Sequence, residues 1–226
     1  MISSYGYDNF FPMLGAGIAL IVLGFWLDSA ILTFFCLLTG FPLSAFAIWF
    51  FRDPERAIPE EAQTDDRVLL APADGEVVQI VPEREERAVG GPAVRISIFL
   101  SPIDVHVNRI PAVGRVLFSD YRPGRFMAAY KDHASEQNEQ TIIGLENRHG
   151  RILFKQITGF LARRIVCDLK EGDEVQIGAR FGMMKFGSRM DVIVPVDSEI
   201  LVSEGVRVTA GQTILGRLPG RNVQNS

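Results

Sequence analysis

Ser203-Glu204-Gly205-Val206-Arg207-Val208-Thr209-Ala210-Gly211-Gln212-Thr213-Ile214-Leu215-Gly216 is the stretch whose reading decides the fold. A glycine-led turn opens it, alternating residues follow, and a second glycine precedes another short apolar run. Upstream, Glu171-Gly172-Asp173-Glu174-Val175-Gln176-Ile177-Gly178 repeats the theme. Two such echoes predict a mainly β fold, a small sandwich or barrel with tight corners. Working outward, residues 68–70, 75–81, 94–100, 114–118, 141–146, 151–159, 165–168, 173–177 and 190–194 read as strands broken by Gly and Pro. Residues 126–131 and 162–164 read as short helices or loops.

The N-terminal end has another character. Residues 1–51 contain no Lys or Arg, and their only acids are Asp8 and Asp28. Residues 10–27 form an 18-residue apolar stretch and residues 29–51 one of 23, both in the range that spans a hydrocarbon core. The start lacks the positive charge of a signal peptide, and the apolar stretch is too long for one. We therefore expect a hydrophobic helical hairpin at 1–51, a Pro- and acid-rich linker at 52–66 and a β-rich domain at 67–226. Pro12, Gly15, Gly17, Gly40 and Pro42 leave a re-entrant hairpin as an alternative to two crossings. Arg52 and Arg56 follow the second stretch, which places the domain on the cytoplasmic side of a cell membrane.

All 23 basic residues and 25 of the 27 acidic ones lie beyond residue 51, so that part carries about −2. Such a balance excludes nucleic acid, which demands a basic face. Cys36 and Cys167 are far apart with no CxxC or His-rich cluster, so no metal site is expected and the thiols are expected to be reduced.

Chemistry concentrates at Phe186-Gly187-Ser188-Arg189, which lies between the apolar runs 180–185 and 190–195. A Gly-Ser pair on a tight turn permits a self-reaction. The Ser hydroxyl attacks the preceding carbonyl and turns the amide into an ester. Loss of the Ser α-proton expels that ester, and the dehydroalanine left behind hydrolyses to a pyruvoyl group and ammonia. Glycine leaves the approach open because it has no Cβ. Gly-Ser is also a common loop dipeptide, so context has to decide.

That context is an ordered set of blocks: Phe50-Phe51-Arg52-Asp53-Pro54, Ala71-Pro72-Ala73-Asp74-Gly75, Phe99-Leu100-Ser101-Pro102-Ile103-Asp104-Val105-His106, Asn138-Glu139 and Lys185 to Ser188. In these blocks, over residues 50–218, the chain resembles the phosphatidylserine decarboxylases, particularly their short forms. It is similar also to the archaetidylserine decarboxylases, which act on the same serine headgroup. The resemblance implies a proenzyme cut between Gly187 and Ser188 into fragments of 187 and 39 residues. Ser188 becomes the covalent pyruvoyl cofactor, in place of pyridoxal phosphate and with no metal. The headgroup amine then forms a Schiff base, CO₂ leaves and phosphatidylethanolamine is released.

Roles follow residue by residue. His106 matches a histidine implicated in the decarboxylation half of the chemistry. Asp74 matches the acid of a self-processing triad, although Asp-Gly is by itself a turn former. Larger bacterial members read His-x-x-His at His106 and use the second His as self-cleavage base; here Arg109 stands in its place. Asp104 is a weaker candidate. Lys185 and Arg189 flank the cut and are weak candidates for the substrate phosphate or carboxylate. His133 and His149 read as solvated loop residues. The expected partners are phosphatidylserine in the membrane and the chain's own two fragments as a heterodimer, with a homo-oligomer left open. The rival reading is a noncatalytic membrane-anchored β-domain of the lipoyl or biotinyl carrier kind. That would require an exposed lysine on a hairpin tip, and Lys185 is the one to consider.

Overall fold

The computed structural model describes residues 1–124, 138–159, 164–185 and 188–220. The expectations for 126–131, for residues 162 and 163, for His133 and for Gly187 lie outside these residues. The chain forms two units, Met1–Glu55 and Arg56–Ser226. Their boundary divides the stretch read as a linker: its first four residues group with the helices and the rest with the strands, including a short helix α3 at Glu60–Thr64 that follows α1 and α2 below.

The first unit pairs α1 (Tyr7–Trp26) with α2 (Ala30–Phe50). They run antiparallel, and small residues set their spacing. A Cβ added to Gly17 would lie 2.9 Å from the Gly40 carbonyl oxygen, and one on Gly40 would lie 2.8 Å from that of Gly17. Backbones approach this closely only where side chains are minimal. Pro12 and Pro42 fall inside continuous helices. Phe11, Val22, Phe25, Ile31, Phe34, Phe35 and Leu38 point outward. Helices apolar on their outer surface suit lipid rather than water. Both are long and apolar enough to cross a membrane by length and composition.

The second unit is built on β1 (Val68–Leu70), β2 (Gly75–Glu85), β3 (Gly91–Leu100), β4 (Val107–Arg109), β5 (Gly114–Arg122), β6 (Gln140–Asn147), β7 (Gly150–Ile157), β8 (Ile165–Cys167), β9 (Glu174–Val175), β10 (Arg180–Met184), β11 (Ser188–Pro195), β12 (Glu199–Ile200), β13 (Arg207–Val208) and β14 (Ile214–Arg217). Eight of them form an antiparallel sheet in the order β13-β2-β3-β11-β7-β6-β5-β9. Two three-stranded sheets, β1-β14-β12 and β4-β10-β8, cover one of its faces. The main core lies between them. Ile96, Ile98, Phe154, Met190, Val192 and Val194 from the large sheet pack there with Leu69, Phe181, Met184 and Leu215 from the small ones. Strand alternation sends Ala93, Ile142, Leu153 and Ile193 to the opposite face. The mainly β fold behind a hydrophobic helical pair agrees with the sequence reading.

The two echoes prove to be halves of one internal duplication. Gly172 and Gly205 hold φ of +92° and +84°, and Gly178 and Gly211 hold +75° and +71°, a left-handed backbone that favours glycine. The Gly205 N–H donates to Val77 O and the Gly172 N–H to Val116 O; the Gly211 N–H donates to Ala71 O and the Gly178 N–H to Ile110 O. The segments receiving them match as well: Ala71-Pro72-Ala73-Asp74-Gly75-Glu76-Val77 against Ile110-Pro111-Ala112-Val113-Gly114-Arg115-Val116. The halves cross through a reciprocal pair, Leu70 N–H to Pro111 O and Arg109 N–H to Pro72 O, both 2.8 Å.

Cys36 and Cys167 are both free thiols. Burial pushes the Cys167 thiol pKa upward; Asp168 adds to this, while the Leu169 amide and the Ser119 hydroxyl partly oppose it. The native thiol therefore stays protonated at a pH where an exposed one, near 8.5, has begun to ionise. Above that value the unfolded chain releases its proton first, so this group lowers stability as pH rises. At pH 9, native Cys167 should alkylate several-fold more slowly than in the urea-unfolded chain, read by intact mass. Equal rates would remove the burial argument.

Candidate active site

Ser188 heads β11, an interior strand with β3 on one side and β7 on the other. It stands opposite Leu100, the last residue of β3. Period-two alternation puts it on the side of Met190, Val192 and Val194, facing the main core. The residue is 0% exposed, and its hydroxyl makes no hydrogen bond among the described residues. Buried hydroxyls are ordinarily hydrogen-bonded, so this unpaired oxygen calls for an explanation.

His106 lies between the end of β3 and β4, and is fully buried. Its Nδ1 sits 2.9 Å from the Asp104 carbonyl oxygen. A carbonyl only accepts, so Nδ1 carries a proton and Nε2 is the nitrogen at which the ring can gain or lose another. The His106 carbonyl accepts the Met184 N–H at 3.3 Å. That bond ties the histidine to the end of β10, just before Lys185. Asp104 shapes the same corner: its Oδ2 accepts the Ser101 N–H at 2.9 Å and its Oδ1 pairs with Arg207.

Asp74 precedes β2 at the same end of the sheet. Glu76 pairs with Phe99, and Phe99 with Arg189, so β3 alone separates the Asp74 strand from the Ser188 strand. Their backbones are two strand spacings apart, roughly 10 Å. The carboxylate accepts Arg56 Nη1 at 2.6 Å, Arg56 Nη2 at 2.7 Å and the Ala210 N–H at 2.9 Å. Arg56 Nη1 also reaches the Ala210 carbonyl at 2.8 Å. The duplication shows that this acid is not a requirement of the turn, because the twin half carries Val113 there. Sequence reasoning gave Arg56 a membrane-flanking role and missed its bidentate hold on Asp74; no local pattern around Arg56 announces it.

The other candidates divide. Arg189 alternates to the face opposite Ser188. There it is 1% exposed and gives Nε to Asp191 Oδ1 at 2.6 Å and Nη2 to Ser97 Oγ at 2.7 Å. This corrects the expectation of a substrate cation: the guanidinium is engaged in a buried pair on the far side of the sheet. Lys185 is 3% exposed, beside the His106 segment, and its N–H donates to Arg164 O at 3.4 Å. A buried lysine is no carrier attachment point, which removes the feature the carrier reading needed. Arg109 donates to Gly178 O at 3.0 Å within the seam of the duplication, and a guanidinium cannot serve as a base. Asn138 donates to Thr158 O at 2.7 Å, and the Glu139 carbonyl accepts the Thr158 N–H and hydroxyl, both at 3.0 Å, so that block ties the start of β6 to the end of β7. His149 was expected in solvent. It is instead mostly buried, with Nε2 2.8 Å from Asp66 Oδ1.

One end of the sheet thus carries an unpaired serine hydroxyl, a buried histidine and an arginine-bound carboxylate. Compared with known proteins, the chain matches the family description "Phosphatidylserine decarboxylase" over residues 43–216. The chain belongs to the phosphatidylserine decarboxylase family. Similar members are each called phosphatidylserine decarboxylase proenzyme. The one from Salinibacter ruber is 53% identical over 176 residues, 77% of either chain. That from Pelodictyon phaeoclathratiforme is 42% identical over 221 residues, 96% of this chain and 100% of the relative. That from Symbiobacterium thermophilum is 47% identical over 209 residues, 92% and 93% of the two. Among members of the phosphatidylserine decarboxylase family, this chain therefore has a relative whose whole length it spans.

Proposed function

We propose that this protein decarboxylates phosphatidylserine to phosphatidylethanolamine and CO₂, and that it is made as a proenzyme whose Ser188 becomes a pyruvoyl group. The observation that carries the reading is the buried Ser188 hydroxyl with no hydrogen bond among the described residues, in a chain whose relatives are called proenzymes. Ser188 Oγ is the nucleophile on the Gly187 carbonyl, and the Gly187–Ser188 amide is the bond that breaks. The residues at this position fit the group, because the reserved oxygen heads a strand whose remainder is locked. A ketone conjugated to an amide carbonyl supplies an electron sink for loss of CO₂. His106, with Nδ1–H held by Asp104 O, would deliver the proton that the substrate α-carbon gains from Nε2, once that nitrogen has itself been protonated. Asp74, fixed by Arg56 and Ala210, acts in self-cleavage.

Cleavage leaves β11 to β14 on the 39-residue piece. β11 lies between β3 and β7, β13 pairs with β2, and β14 lies between β1 and β12. The pieces therefore remain one heterodimeric body. The two apolar helices support a place at a membrane. The cytoplasmic placement of the catalytic unit rests on Arg52, since Arg56 is engaged by Asp74.

Intact mass tests the reading. Purified active protein should consist of 187- and 39-residue chains, the smaller blocked to Edman degradation and reactive with hydride or hydroxylamine. Active material containing only the full chain with an unmodified Ser188 rejects it.

A further inference from the structure

The turn after β3 presents apolar side chains to solvent on a rigid mount. Ser101 to Asp104 closes through the Asp104 N–H to Ser101 O and the Ser101 N–H to Asp104 Oδ2, both 2.9 Å. Asp104 is buried and also paired with Arg207 of β13. What this frame holds out is Pro102, which is exposed, and Ile103, which is 66% exposed. A branched aliphatic residue is a poor choice for an exposed turn, where Gly, Asn, Asp and Ser predominate. Beside Arg207, Val206 is 40% exposed. The Asp104–Arg207 pair thus joins two apolar tips from separate parts of the chain.

The duplication supplies an internal control. Val206 corresponds to Asp173 in the twin half. Both do the same backbone work: Val77 N–H to Val206 O and Val116 N–H to Asp173 O, each 2.9 Å, and Val206 N–H to Ser203 O matching Asp173 N–H to Lys170 O. The turn therefore accepts an acid, and Asp173 is exposed and caps Lys170 N–H at 2.8 Å. The apolar choice appears only in the half that meets the Ser188 end of the sheet. Leu100, directly opposite Ser188, is followed at once by the Ser101–Asp104 turn.

We propose that Pro102, Ile103 and Val206 form a membrane-contacting rim that seats this end of the domain in the lipid interface, over the headgroup being processed. The proposal rests on the reading of a bilayer lipid as substrate. An apolar contact flanked by an arginine is the composition that partitions into the headgroup boundary. It needs no attraction from overall charge, which at −4 for the chain would not supply it.

The full chain in proteoliposomes provides the test. Ile103→Asp with Val206→Asp should leave self-cleavage intact and turnover of soluble short-chain phosphatidylserine unchanged. Activity on phosphatidylserine vesicles at low lipid should fall about tenfold, the scale of losing burial of one large aliphatic side chain. An equal loss on both substrates, or no loss on vesicles, overturns the rim. A parent chain that processes yet decarboxylates neither lipid overturns the functional reading, and the rim with it. A second measurement does not depend on turnover. An Ile103→Trp chain, compared with the parent and its Trp26 and Trp49, should gain emission quenched by lipids brominated near the glycerol. Quenching of that added emission by aqueous acrylamide alone overturns the proposal.

Discussion

Ser188→Ala should yield one uncut 226-residue chain with no decarboxylase activity and nearly unchanged stability. The three outcomes come from one atom. The Ser188 hydroxyl is buried and makes no bond among the described residues, so removing it forfeits no hydrogen bond and relieves a desolvated polar group. The strand it heads is held by ladders to β3 and β7 that do not involve the side chain. The melting temperature should thus move by only a few degrees, as for a change under about 1 kcal/mol. Loss of cleavage and turnover without loss of fold is the signature of a reserved nucleophile. A cleaved, active Ser188→Ala protein would end the pyruvoyl proposal, whereas a protein that fails to fold would show the hydroxyl to be structural.

The next largest effects separate self-cleavage from turnover. His106→Ala should still be processed, at least in part, while turnover falls about 10²- to 10⁴-fold, the usual range for loss of a positioned proton carrier. Asp74→Ala should accumulate the full-length chain. That second result needs a control, because Arg56 is nearly buried and bidentate to Asp74, and an unpaired buried charge costs on the order of 3–5 kcal/mol. Arg56→Met removes the same ion pair from the other side. Cleavage by Arg56→Met, with none by Asp74→Ala, assigns the effect to the carboxylate. Arrest in both makes the pair a fold element and withdraws Asp74 from the chemistry. Normal turnover by processed His106→Ala removes His106 in the same way.

Much of the architecture was legible because period two is a strong signal. The runs at 68–70, 75–81, 94–100 and 190–194 all became strands, and the uncharged stretches became two helices. β4 and β12 were not legible. Val107–Arg109 has no alternation to reveal it and is a strand because it pairs with β10. The duplication was visible only as a rhythm of glycines; its other half, the shared Pro-Ala-x-Gly-x-Val, becomes evident once hydrogen bonds bring the segments together. Around the site, Ser188 and Arg189 were read as one locus, although adjacent residues of a strand face opposite ways. The partners of Asp74 and His149 come from distant segments, Arg56 and Asp66, and no local pattern records a contact of that kind.

The weaving of the last four strands into two of the sheets also bears on the protein's working life. On the proposed cleavage, the 39-residue piece could not leave without opening the ladders of β11 to β3 and β7, of β13 to β2 and of β14 to β1. On the proposed chemistry, each processed molecule would therefore keep the ketone made from its own serine, and mixing damaged with intact protein would exchange nothing. Such a ketone, if lost to a stray nucleophile, would have no replacement, because its serine precursor would have been used up in the making. Renewal of activity in the cell then falls to synthesis of new chains and clearance of old ones.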